Sequence, residues 1–169
     1  MSTNPGEAFA GGLMDESRAE EHRREFLTCR LGEELYGIDI LRVQEIRELE
    51  HVTRVPHVAP FVRGVVNLRG AIVPIVDLGL MFGFPDPLPL QEASAIVLNA
   101  GGRLIGLAVA AVSDVVALAE DENRPAPDFG NQAIGHALAG IGVTGDQSVL
   151  LLDVEHLLGR IREGREARE

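Results

Sequence analysis

Tryptophan is absent from this chain, and tyrosine and cysteine occur once each. With aromatics at only 4%, the core has to be built from Val, Ile, Leu and Ala, a composition that suits small β-barrels or sandwiches. A lone Cys29 excludes an internal disulfide and fits a reducing compartment. It sits in the strand-like run Phe26–Leu31, where it reads as a small buried hydrophobe rather than a nucleophile. Positive charge is scarce as well: 15 Lys and Arg against 26 Asp and Glu leave a net charge of −11. Nucleic acid is therefore an improbable partner, because phosphate binding needs a basic footprint. An anionic membrane surface would be repelled. No apolar run nears the roughly 18–20 residues of a membrane span, and residues 1–22 hold no signal-type apolar stretch. The expectation is a cytoplasmic protein with no membrane insertion.

The signatures of catalysis are missing too. His22, His51, His57, His136 and His156 stand at no metal-ligand spacing and have no cysteine cluster beside them. There is no nucleophile elbow, Walker loop or dinucleotide fingerprint. No catalytic residue, metal or cofactor is expected, and the chain reads as a surface-presenting protein rather than an enzyme.

What is present is a repeat. Leu35-Tyr36-Gly37-Ile38 and Val43-Gln44-Glu45-Ile46 recur as Leu104-Ile105-Gly106-Leu107 and Val112-Ser113-Asp114-Val115, an offset of 69 residues. Gly64, Ile75-Val76-Asp77-Leu78 and Gly83 recur as Gly140, Leu151-Leu152-Asp153-Val154 and Gly159, an offset of 76. Each copy reads as five short strands and a short helix. Asp77 and Asp153 precede helical segments, where a carboxylate accepts first-turn N–H groups. Gly83 and Gly159 stand where a glycine would end those segments. Within copy one, Val65–Leu68 and Ala71–Val76 flank an Arg69-Gly70 turn. Pro74, which lacks the N–H that a central strand needs, suggests an edge strand. Pro85–Pro89 and Ala119–Pro127 are candidate connectors, and residues 1–22 and 163–169 read as tails. The fold expected is mostly β: two packed five-stranded barrels with short connecting helices.

A series of motifs runs through the chain in order. They are F-L-x-x-x-L-G from Phe26, Y-G-I-D-I from Tyr36, V-Q-E-I-R from Val43, V-T-R-V from Val52, N-L-R-G from Asn67, V-P-I-V-D-L from Val73, R-P-A-P-D-F from Arg124 and G-I-G from Gly140. Together they resemble the CheW family, the coupling proteins of bacterial chemotaxis, over roughly residues 24–160. The resemblance implies two SH3-like β-barrels in a CheW-like domain at 23–162. Barrel one would span about 38–89, and barrel two 24–37 with 90–160. It implies a non-catalytic adaptor between the cytoplasmic tips of chemoreceptors and the regulatory domain of the histidine kinase CheA, in arrays at the inner membrane. Gliding or pilus-type pathways use related proteins. A domain fused to a phosphoreceiver or to the kinase is a second reading, and a small-ligand sensor or enzyme a third.

The resemblance also implies site residues. Ile40, Leu41, Val43, Gly64, Asn67, Arg69, Val109 and Val112 would line a receptor-binding groove between the barrels. Val43, Glu45, Thr53, Arg54 and Val55 would face the kinase. Glu45 and Arg69 are expected to form a bidentate ion pair that shapes the surface.

Overall fold

Hairpins organise this protein, and the partners they choose give the fold its character. A computed structural model describes residues 23–119, 122–125 and 135–166. The expected tail at 1–22, and parts of the 119–127 connector and of the motif from Arg124, lie outside these residues. The strands are β1 (Arg24–Leu31), β2 (Glu34–Asp39), β3 (Val43–Glu48), β4 (Val62–Leu68), β5 (Ala71–Asp77), β6 (Ser94–Ala100), β7 (Arg103–Val109), β8 (Ala111–Leu118), β9 (Asn123–Arg124), β10 (Leu138–Thr144) and β11 (Gln147–Leu152). Short helices follow β5 at Leu78–Met81 and β11 at Val154–Glu166. No helix among the described residues is long and apolar enough to cross a membrane.

One sheet has the order β3-β6-β7-β5-β4 and the other β8-β1-β2-β11-β10-β9. Each sheet is rolled shut by the chain that follows its edge strand. Thr53, beyond β3, exchanges two backbone hydrogen bonds of 2.8 Å with Val65 of β4. β9, beyond β8, pairs with β10. Closure removes exposed sheet edges, and the two-barrel expectation holds.

The expected division at residues 89 and 90 does not hold. β6 and β7 lie in barrel one, although they belong to the second copy of the repeat. β1 and β2, from the first copy, lie in barrel two, as expected. Each barrel thus takes its first hairpin from the other copy. The registers obey the repeat: Gly37 faces Leu151 across the parallel β2–β11 joint, and Gly106 faces Ile75 across the parallel β5–β7 joint. Bulges recur at Val62/Gly64 and Leu138/Gly140, and a 2.7 Å bond from Asp77 N to the Phe61 carbonyl recurs from Asp153 N to that of Ala137.

Two further expectations are corrected. β5 is not an edge strand, since it lies between β7 and β4. Pro74 is tolerated there because its partner Val65 spends both backbone groups on Thr53, and because pairing with β7 starts only at Ile75. The proline nitrogen therefore removes no ladder bond. Gly159 does not end a helix either, because Val154–Glu166 runs through it. Residues 163–166, expected as tail, continue that helix. The turns buried by Leu157, Leu158 and Ile161 hold it down, and such packing outweighs a cost of about 1 kcal/mol for an interior glycine. Gly83, by contrast, has φ +91 and donates to the Leu80 carbonyl at 3.1 Å, as a terminating glycine does.

The largest core lies between the barrels. It joins Cys29, Tyr36 and Ile38 of one exchanged hairpin to Leu98, Leu107 and Val109 of the other, with Phe82 from just past the first helix and Leu157 from the second. Tyr36 stacks on Phe82 at 5.6 Å. Smaller clusters fill each barrel, around Val73 and Ile75 in one and Phe26, Val149 and Leu151 in the other. Cys29 is fully buried, and desolvation pushes its thiol up to about 12. Native protein at pH 8 is therefore expected to resist maleimide, while urea-unfolded protein reacts completely. Stoichiometric labelling of the folded protein would contradict this burial.

Candidate protein-docking surface

The third strand supplies the exposed site. A 3-10 turn at Ile40–Arg42 carries the chain from β2 to β3, capped by Asp39 Oδ1, which accepts from Leu41 N at 3.0 Å. Leu41 is left 88% exposed. Among the described residues β3 pairs only with β6, and a bulge interrupts its register between Val43 and Glu45. Ile46 is an exposed hydrophobe on this strand, and its repeat mate Val115 is exposed on β8.

Arg69 reaches β3 from the β4–β5 hairpin. Asn67 Oδ1 accepts from Gly70 N at 2.9 Å and closes the turn. Arg69 itself has φ +49, left-handed backbone that disfavours any residue with a Cβ. The repeat mate of Arg69 is Gly145, at φ +57. Copy one therefore keeps a side chain where copy two has the unstrained choice. That side chain donates from Nη2 to both Glu45 oxygens, at 2.9 and 3.1 Å. The expected pair forms, with one nitrogen straddling the carboxylate rather than two nitrogens forming a fork. Arg47 lies 3.7 Å from the same carboxylate. Beside it Asn99 donates to Gln44 Oε1 at 3.2 Å, joining β3 to the end of β6.

Next to this polar frame runs a groove of about 700 Å³, lined by Val55, Val65, Ile72 and Pro74 with Gln44 and Asn99. Ile72 is 63% exposed. Sequence reasoning missed Ile72, although the buried Val73 and Ile75 alternate with it and imply that it points outward.

The receptor set does not come together as one groove. Leu41, Asn67 and Arg69 are exposed. Ile40, Val43 and Val112 are half-buried and packed against the inter-barrel core. Val109 is completely buried in that core, which fills the space where a groove was expected. Gly64 is buried too. A Cβ there would lie 2.3 Å from the Thr53 carbonyl oxygen and 2.8 Å from Val52 Cγ1, and its φ is +150. Gly64 belongs to the closure of barrel one, not to a surface. Of the kinase set, Arg54 and Val55 are exposed and Glu45 is partly so, while Thr53 uses its backbone on Val65.

No group of three or more potential metal-ligating side chains converges among the described residues. The arrangement offers apolar patches framed by hydrogen-bonded polar groups, the composition of a reversible protein interface.

Known proteins share this architecture. The chain is 45% identical over 135 residues to the Chemotaxis protein CheW of Klebsiella aerogenes, covering 80% of this chain and 81% of that one. It is 31% identical to the Probable chemotaxis protein CheW of Rhizobium etli, covering 79% and 86% of the two chains. The crystal structure of the scaffolding protein TtCheW from Thermoanaerobacter tengcongensis superimposes with a TM-score of 0.69 at 30% identity, over 78% of this chain and 84% of that one. The CheW-like domain family matches residues 25–162. With two closed barrels and a match that spans nearly all the described residues, the chain belongs to the CheW-like domain family.

Proposed function

We propose that this protein is a non-catalytic adaptor that couples methyl-accepting chemoreceptors to the histidine kinase CheA in chemotaxis signalling. The relatives' names, chemotaxis and scaffolding proteins, support this reading. The observation that carries it is the Arg69–Glu45 pair. An arginine is kept in left-handed backbone where the repeat mate is glycine, and strain of this kind, of order 1–3 kcal/mol, collects at functional sites. Stability does not explain it, because Arg69 is 63% exposed and pairs at such exposure contribute about 0–1 kcal/mol. The pair instead fixes the outline of the β3 surface. Leu41, Val43, Asn67 and Arg69 would face the receptor, and Glu45, Arg54 and Val55 the kinase.

The test is co-sedimentation with receptor signalling fragments and kinase, separately and together. Arg69→Glu is expected to lose most ternary complex while shifting the melting temperature by only about 2–4 °C. Adding Glu45→Arg, which restores opposite charges, is expected to recover part of the complex. If Arg69→Glu assembles like the parent protein, the surface has been assigned wrongly. If the parent protein itself captures neither partner, the adaptor reading fails.

A further inference from the structure

Asp77 is only 1% exposed, and its carboxylate does more than cap a helix. Its Oδ1 accepts from Leu80 N at 3.0 Å. Its Oδ2 accepts from Leu88 N at 2.8 Å and from Arg63 Nη1 at 3.0 Å. The same Arg63 nitrogen donates to the Leu88 carbonyl at 2.7 Å. Two side chains therefore hold the N–H and C=O of a single residue, the two groups that a neighbouring strand takes from an extended chain. Leu88 and Leu90 pack against the cluster inside barrel one. They belong to the segment Pro85-Asp86-Pro87-Leu88-Pro89-Leu90, in which Pro89 has φ −68 and ψ 110, extended backbone whose φ the proline ring fixes in advance.

The barrel fold does not require this device. In copy two Ala139 stands at the position of Arg63. Asp153 there accepts from His156 N at 3.1 Å, and the chain continues as a helix with no extended strap. Beside the strap lies a cleft of about 680 Å³, lined by Arg63, Pro87 and Leu90 and by Val52, Pro56 and Pro60 of the loop after β3. The cleft leaves room for a segment next to the one already seated.

We propose that Arg63, Asp77 and this cleft form a peptide-binding site for an extended leucine–proline segment. The chain's own residues 87–90 occupy it here, and a partner segment of the same chemistry enters when the strap lifts. The strap is a resident ligand, and its cleft adjoins the proposed kinase-facing residues Arg54 and Val55, which line it as well.

The experiment is fluorescence anisotropy with a labelled, end-blocked peptide of sequence PDPLPL, titrated with the full chain. A tethered ligand competes at an effective concentration in the millimolar range, so the parent protein should bind the peptide weakly. Leu88→Gly, which removes the resident side chain but keeps Arg63 and Asp77, is expected to bind about tenfold more tightly or better. A control peptide with glycine for its first leucine should bind neither protein. Equal affinity of the parent protein and Leu88→Gly, or equal affinity for the two peptides, overturns the proposal. A second measurement avoids any folding defect in the variant. In the unaltered protein, millimolar peptide is expected to speed hydrogen exchange at the Leu88 amide while leaving Ile38 protected. Unchanged exchange at Leu88 overturns the proposal equally.

Discussion

Gly64→Ala is expected to lower the melting temperature by about 10 °C, the effect of a loss of about 3 kcal/mol or more in a domain of this size. Two costs combine. The backbone at φ +150 lies where side chains are strained, and the new methyl would sit 2.3 Å from the Thr53 carbonyl, which is backbone and cannot swing aside. Moving Thr53 breaks its two bonds to Val65 and opens barrel one. Gly64→Asp adds a carboxylate against that carbonyl, and no folded protein is expected. Gly70 provides the control: it has φ +89 but open space within 4 Å, so Gly70→Ala should cost only about 1 kcal/mol. Thermal unfolding followed by circular dichroism separates the two. A Gly64→Ala protein as stable as Gly70→Ala would mean that barrel one closes by some other route. The same result bears on docking experiments, since lost binding at Gly64 would report lost structure.

The second large effect follows from the core shared between the barrels. Ile75→Ala, inside barrel one, and Leu151→Ala, inside barrel two, remove buried side chains at 0% and 1% exposure. Each is expected to cost about 2–5 kcal/mol. Their repeat equivalence makes the comparison clean. Because one core joins Tyr36 and Ile38 of barrel two to Leu98 and Leu107 of barrel one, neither barrel can melt without exposing the buried face of the other. Both variants should therefore unfold in one transition, with calorimetric and van't Hoff enthalpies equal. Two resolved transitions in either variant would show that the barrels are energetically separate.

The sequence revealed what is local. The Arg69-Gly70 turn and the Asp77 and Asp153 caps follow from residue chemistry within a few positions, and the structure contains each of them. The repeat was legible from spacing alone. What the repeat could not disclose was partnership, because an offset says which strands are equivalent and not which strands pair. The boundary therefore fell at 89 and 90 instead of following the exchanged hairpins. Pro74 misled for a similar reason: a missing N–H matters only where a partner is present to accept it, and register decides that. Val109 and Gly64 looked like surface because motifs do not report depth. Arg63 went unnoticed because a charged residue alternating with Val62 and Gly64 reads as a solvated outward position, and only the fold brings Leu88 to it.

Arg69 and Gly145 occupy equivalent turns, as do Arg63 and Ala139 equivalent strand positions. A symmetric pair of half-length chains, built on the same exchanged hairpins, would display every surface twice, since a two-fold axis forces identical faces. Holding both copies in one chain removes that constraint. One face can accumulate arginines, strain and a proline-rich strap while its counterpart stays plain. The divergence gives the molecule its polarity: its two barrels share a scaffold but no longer share a chemistry.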